Sequence, residues 1–184
     1  MLEITETAIP DVKIVKARRF GDARGFFTES YSVQRWHEAG IDVRFVQDNE
    51  SFSVLKGTVR GLHFQLPPAA QSKLVRVLRG AVLDVAVDIR KNSPTYGQYV
   101  AVELSAEGGE QLFIPRGFAH GFCTTAPDTY VAYKGDAYYA PEHDSGILWN
   151  DPTIGIDWPV TVSDAILSEK DMLHSTFSEF VSPF

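Results

Sequence analysis

Short strand-like runs recur along the chain, and this pattern constrains the fold more than any other feature. β-branched and apolar residues dominate segments 12–20, 73–80, 81–90, 98–104, 110–115 and 129–139. Glycine, proline and asparagine separate these runs, as is typical where strands turn or bulge. We expect such turns or bulges at Gly57, Gly61, Gly80, Gly109 and Gly117. Together the runs and breaks predict an antiparallel sandwich or barrel.

Helical signals are few. One short helix is predicted over 32–39, with Ser32 as its N-cap and Gly40 as its stop. Short helical turns are expected within 163–174. The 184 residues suit one domain, so we predict a single unit over 1–184 with a tail at 175–184. Three phenylalanines in that tail favour packing on the barrel or on a partner subunit.

Composition argues against several classes of protein. The net charge is −7, whereas a nonspecific nucleic-acid binder needs an excess of Lys and Arg, so we expect no nucleic-acid partner. No apolar run approaches the ~20 residues that span a bilayer, and residues 1–20 lack the apolar core of a secretory signal. A single cysteine, Cys123, allows no intrachain disulfide. We therefore expect a cytoplasmic protein that does not bind membranes.

Two glycine-histidine segments carry a more specific signal. His63 follows Gly57 after five intervening residues, and residues 109–120 have the spacing G-x5-P-x-G-x2-H, which ends at His120. These segments resemble the two signature segments of cupins. The resemblance implies a mainly β fold, a cupin-type double-stranded β-helix or jelly-roll barrel, with a few short helices.

The metal ligands of cupins are incomplete in this chain. Metal-binding cupins have His-x-His followed by Glu, but Gln65 stands two residues after His63 and residues 66–72 contain no carboxylate. A first-row metal needs several convergent N or O ligands, and His63 with His120 are too few. We therefore expect no metal and no cofactor. A histidine in such a segment is usually a packed core residue, but the ligand position of His63, with Arg60 and Lys73 close in sequence, favours a functional role.

Longer motifs narrow the resemblance to one family. They occupy 20–31, 45–53, 57–65, 71–98, 114–122, 133–159 and 167–171. Over Ile9 to Asp171 the chain resembles the dTDP-4-dehydrorhamnose 3,5-epimerases, the cupin-fold isomerases of dTDP-L-rhamnose synthesis. The resemblance implies proton transfer at C3 and C5 of dTDP-4-dehydro-6-deoxy-D-glucose. Both carbons flank the C4 ketone, so a base, an acid and a donor at O4 suffice.

The resemblance also assigns catalytic roles. His63 is the expected base, since histidines with a pKa near ~6.5 are mostly neutral at pH 7. Asp171 corresponds to the family's orienting carboxylate, although Asp84, on the inward face of 81–90, is a rival from the residues alone. Tyr133 corresponds to the proton donor. Lys73 is expected to stabilise charge that develops on O4.

Further positions are expected to bind the substrate. Arg24 and Arg60 can form bidentate contacts with phosphate oxygens. The resemblance places nucleotide or sugar contacts at Glu29, Gln47, Asn49, Lys73, His120, Tyr139, Asp144 and Lys170. Tyr139 is expected to stack on thymine, and Asp144 stands where the family has glutamate. The family's pocket includes residues of a second subunit, which implies a homodimer.

Other functions remain alternatives at this point. A monoepimerase acting at C3 or C5 alone would share the His–Tyr apparatus, and a ketoisomerase on this scaffold is less favoured. A noncatalytic cupin that binds sugar nucleotides or carbohydrates would bind without exchanging C–H protons. A metal-dependent oxygenase is disfavoured by the missing His and Glu.

Overall fold

The computed structural model describes residues 2–184, so only the first residue of the predicted domain lies outside it. The strands are β1 Leu2–Glu6, β2 Lys13–Ala17, β3 Arg19–Asp22, β4 Gly25–Thr28, β5 Gln47–Ser53, β6 Val59–Gln65, β7 Lys73–Arg79, β8 Ala81–Asp88, β9 Tyr99–Ser105, β10 Glu110–Ile114, β11 Phe118–Thr124, β12 Thr129–Gly135 and β13 Asp144–Gly146. The helices are α1 Val33–Glu38, α2 Glu169–Met172 and a 3-10 turn at Pro141–His143. None of the helices in 2–184 is long and apolar enough to cross a membrane.

Two antiparallel sheets form the barrel. One has the strand order β1-β2-β10-β7-β12-β5 and the other β13-β6-β11-β8-β9, while β3 and β4 form a separate hairpin. The main hydrophobic core lies between the two sheets, with Val75 and Leu112 from the first and Ala86 and Phe122 from the second. The predicted mainly β, cupin-type barrel with a few short helices is confirmed.

Each large sheet is also covered on its outer face. Trp36 of α1 and the nearby Ile41 pack on the outside of the six-stranded sheet. The chain after β13 covers the outside of the five-stranded sheet, where Trp149 and Trp158 are buried. The C-terminal segment, residues 166–184, continues this layer: the ring centroids of Phe180 and Phe64 lie 5.3 Å apart.

Burial on both faces explains the composition of β8. Ala86 faces the core between the sheets, whereas Val85 and Val87 face outward and pack against the chain that follows β13. The predicted inward face of this strand is therefore confirmed, and it carries the buried carboxylates Asp84 and Asp88.

The predicted elements match the structure with local corrections. The helix expected at 32–39 is α1; Ser32 is its N-cap residue, but its side chain makes no capping hydrogen bond. The run 12–20 is split between β2 and β3. The strand predicted over 129–139 was wrong beyond residue 135, because the Asp136 carboxylate accepts a hydrogen bond from the Ser72 backbone N–H at 2.6 Å and the chain turns there.

Candidate active site

A bulge in β6 sets the direction of two predicted site residues. His63 pairs with His120 and Arg60 with Phe122, so β6 has one residue more than β11 between these pairs. The extra residue lies at Gly61, whose φ is 131°. A Cβ on Gly61 would lie 2.5 Å from the Cα of Gly121, so only glycine fits. The bulge therefore turns Arg60 and His63, three residues apart, toward the same cavity.

The C-terminal segment brings Asp171 to His63 across 108 positions of sequence. This segment runs beside the start of β6, where the Val59 N–H donates to the Ile166 carbonyl at 2.9 Å. Ser168 then caps α2 by accepting a hydrogen bond from the Asp171 N–H at 3.2 Å. These contacts fix the backbone of Asp171 next to the barrel.

His63 and Asp171 form a close pair. Their Nε2 and Oδ1 atoms are 2.5 Å apart, and the Asp171 side chain is only 4% exposed. Burial alone would raise the pKa of Asp171, but hydrogen bonds from His63 and Ser168 lower it below its usual range. Asp171 therefore stays ionised and can hold the imidazole through Nε2. His63 Nδ1 is the ring nitrogen that Asp171 does not contact.

Asp84, the rival carboxylate, contacts a different histidine. Its Oδ1 lies 2.6 Å from His120 Nε2, and both side chains are buried. Burial lowers the pKa of His120, although the charge of Asp84 opposes this shift. The barrel thus contains two separate His–Asp pairs, His63–Asp171 and His120–Asp84.

A cavity of about 540 Å³ adjoins both histidines, and Lys73 and Tyr133 also line it. Its volume is within the range of small-molecule sites. Burial lowers the pKa of Lys73 to about 8, partly offset by Asp84 and Asp144, and raises that of Tyr133. In residues 2–184, no carboxylate oxygen lies within 4.0 Å of Lys73 Nζ. The cavity therefore offers an unpaired cation and a protonated phenol.

Gln65 has a structural role where metal-binding cupins have a ligand. Its amide nitrogen donates to the Ala69 carbonyl at 2.7 Å, and its amide oxygen accepts from the Ala140 N–H at 2.8 Å. The side chain thus joins two loops.

Five predicted substrate contacts form one polar network beside the cavity. The Gln47 amide donates to Asn49 at 2.9 Å and accepts from the Tyr139 N–H at 2.9 Å. The Tyr139 hydroxyl donates to Asp144 at 3.1 Å, and Lys170 forms an ion pair with the same carboxylate. Since Lys170 also lines the cavity, the network connects it to the surface.

Arg24 and Glu29 are not brought to this cavity. Arg24 lies in the β3–β4 hairpin, is 89% exposed and pairs with Asp22. Glu29 pairs with Arg35 at 3.0 Å. Arg60 does line the cavity, where it donates to Ser53 and to the Phe52 carbonyl. Within one chain, the predicted substrate-binding residues are therefore separated: Arg60 lines the cavity, whereas Arg24 and Glu29 do not.

His174 was not assigned from the sequence, yet it lies beside the catalytic candidates. Its Nε2 is 3.7 Å from Asp171 Oδ1, and its ring centroid is 5.6 Å from that of His63. Burial lowers the pKa of His174, and the nearby His63 contributes to the shift. The signal available in the sequence was its position three residues after Asp171, a spacing that puts side chains on one face of a helical turn.

Comparisons with known proteins point to one family. The family model described as dTDP-4-dehydrorhamnose 3,5-epimerase matches residues 6–179. The Sinorhizobium fredii protein of that name is 52% identical over 177 residues, which cover 96% of this chain and 90% of the relative.

Solved structures agree with this similarity. The crystal structure of dTDP-4-dehydrorhamnose 3,5-epimerase from Bacillus anthracis, with TDP and PPi bound, has a TM-score of 0.93 at 51% identity and covers 96% of this chain and 99% of that one. The Legionella pneumophila dTDP-6-deoxy-D-glucose-3,5-epimerase in complex with dTDP-4-keto-L-rhamnose has a TM-score of 0.93 at 46% identity, with coverage of 98% and 95%.

Proposed function

Because this chain belongs to the dTDP-4-dehydrorhamnose 3,5-epimerase family, we propose that its cavity binds dTDP-4-dehydro-6-deoxy-D-glucose and inverts the sugar at C3 and C5. The product is dTDP-4-dehydro-L-rhamnose. The observation that carries this proposal is the His63–Asp171 pair on the wall of a cavity that also contains Lys73 and Tyr133.

His63 is the proposed base. Asp171 holds its Nε2, which leaves Nδ1 to accept the proton from C3 or C5. A carboxylate behind an imidazole fixes the ring and stabilises the imidazolium that forms. As the proton leaves, the electron pair of the C–H bond forms the enolate, and negative charge develops on O4.

Lys73 is the proposed stabiliser of that charge. A fixed cation aimed at developing charge lowers the barrier most when no other anion already occupies it. The absence of a carboxylate within 4.0 Å of Nζ in residues 2–184 supports this role. With a pKa of about 8, Lys73 is still mostly protonated at pH 7.

Tyr133 is the proposed acid that returns a proton to the opposite face of the ring. Burial raises the pKa of its phenol, so the group carries its proton at neutral pH. Donation leaves a phenolate, which a proton from solvent restores, while the His63 imidazolium releases its proton to solvent. Two such cycles, one at each carbon, complete the reaction without any change of oxidation state.

The remaining contacts are assigned to the rest of the substrate. Arg60 is proposed to bind phosphate oxygens, and His120, held by Asp84, to contact the sugar. The polar network is proposed to bind the nucleotide, with Tyr139 stacking on thymine. The other members of the network are Gln47, Asn49, Asp144 and Lys170.

Incubation with the 4-keto sugar nucleotide in D2O separates this function from its alternatives. We expect deuterium at both C3 and C5. Label at only one carbon would identify a monoepimerase, and binding without label would identify a noncatalytic cupin.

We further propose a homodimer in which Arg24 and Glu29 complete the site of the partner. Both lie outside the cavity of their own chain. The hairpin that carries Arg24 also exposes three phenylalanines, Phe20, Phe26 and Phe27, by 51%, 58% and 71%. Exposed apolar surface of this kind is typical of a protein interface.

Heterodimers test this arrangement. With His63→Ala on one chain and Arg24→Ala on the other, a shared site leaves one of the two sites intact, so we expect about half of the wild-type activity. The matched control carries both substitutions on one chain beside a wild-type chain, and there no site is intact. The reverse ranking, with the control more active, would mean that each chain builds its own site.

A further inference from the structure

His174 has an unexplained ring nitrogen. Its side chain is 11% exposed, and Nε2 is buried without a hydrogen-bond partner among residues 2–184. A Cβ on Gly146 would lie 2.4 Å from this atom, so glycine at 146 is what gives the ring its space. A buried polar atom without a partner costs free energy, which favours a ligand for it.

Two potential metal ligands, His63 and Asp171, lie close to this nitrogen. One ligand atom each from His63, Asp171 and His174 lies within 4.8 Å of the other two. Two imidazoles and one carboxylate are a recurrent ligand set for Zn²⁺ and related ions. This set differs from the cupin ligand positions, because two of its members come from the C-terminal segment.

The distances are close to those of a coordination sphere. Ligand atoms at ~2.0–2.1 Å from a tetrahedral ion are separated by roughly 3.3 Å. His174 Nε2 is already 3.7 Å from Asp171 Oδ1, while His63 Nε2 is 2.5 Å from it. Binding therefore requires His63 and Asp171 to separate by less than about 1 Å, as the metal replaces the proton between them. His63 is 31% exposed, so water can reach an open coordination position on that side.

We propose that His63, Asp171 and His174 form a site for a divalent transition metal of the Zn²⁺ class, and that the metal inhibits the enzyme by engaging the base. The metal site follows from the three side chains alone; its inhibitory effect rests on the proposed function. Metal binding and catalysis exclude each other because His63 Nε2 cannot hydrogen-bond to Asp171 and coordinate a metal at the same time.

Titration of the full chain with Co²⁺ tests the site directly, since Co²⁺ bound to nitrogen and oxygen ligands absorbs visible light. We expect one Co²⁺ per chain, displaced by Zn²⁺. Loss of even a supporting residue weakens metal binding by about 10–100-fold, so His174→Gln is expected to weaken it by about 100-fold or more. His37→Gln removes an exposed histidine on α1 and should leave binding unchanged. Equal binding by wild type and His174→Gln, or no binding by wild type, would overturn the proposal.

A second readout needs no substitution. Addition of Zn²⁺ to the wild-type chain should shift the imidazole NMR signals of His63 and His174 and leave that of His120 in place. Shifts confined to other histidines would also overturn the site. Both readouts are independent of turnover: a chain that binds Co²⁺ but exchanges no substrate protons refutes the proposed function and leaves the metal site intact.

Discussion

The His63→Ala variant is expected to lose exchange of the substrate hydrogens at C3 and at C5 together, while its affinity for dTDP stays close to that of wild type. General base catalysis contributes about 10²–10⁴-fold, so we expect kcat/KM to fall by about that factor. Both carbons are affected because one imidazole, oriented by Asp171, is assigned to both. Proton NMR in D2O measures the exchange, and calorimetry measures dTDP binding.

Two further variants test whether the loss of exchange in His63→Ala is catalytic. His37→Ala removes a histidine whose side chain is 66% exposed and should retain full activity. Asp171→Asn keeps the shape of the orienting side chain but removes its charge, and we expect a loss of about 10²-fold or more from the less stable imidazolium. If His63→Ala abolished dTDP binding or lowered the melting temperature strongly, His63 would be a structural residue.

The Tyr133→Phe variant is expected to separate the two halves of each epimerisation. Removal of the first proton should be much less affected than formation of inverted product, which we expect to fall by about 10²–10⁴-fold. The substitution removes only the phenolic oxygen, so the ring still packs against the core. Deuterium uptake into recovered substrate measures deprotonation, and product formation measures the complete cycle.

Tyr130→Phe is the matched control for this variant. Tyr130 is on the same strand, β12, but its hydroxyl donates to Glu50 at 2.7 Å and does not line the cavity. Its removal should change neither rate. An equal fall of deprotonation and inversion in Tyr133→Phe would argue against Tyr133 as the donor.

Local sequence rules predicted much of the barrel. Gly57, Gly61, Gly80, Gly109 and Gly117 were expected at turns or bulges, and all five have positive φ. Such positions are predictable because only glycine adopts this backbone without strain. The alternation in β8 likewise predicted which face of that strand points inward.

The pairing of histidines with carboxylates could not be predicted in the same way. Asp84 and Asp171 were both plausible partners of His63, since neither local spacing nor alternation specifies contacts between distant segments. The structure brings Asp171 to His63 through the path of the C-terminal segment along β6, and Asp84 to His120 through pairing of β8 with β11. His174 was left unassigned for the same reason, because its neighbour His63 is on a different element.

The proposed mechanism requires this cavity to remove hydrogen from both carbons beside the ketone of one bound sugar. The most direct measurement follows wild-type protein with dTDP-4-dehydro-6-deoxy-D-glucose in D2O by proton NMR from the first minutes. The proposed mechanism predicts that the C3 and C5 proton signals both disappear as dTDP-4-dehydro-L-rhamnose forms. Retention of both signals, in a sample where calorimetry shows the sugar nucleotide to be bound, would contradict it.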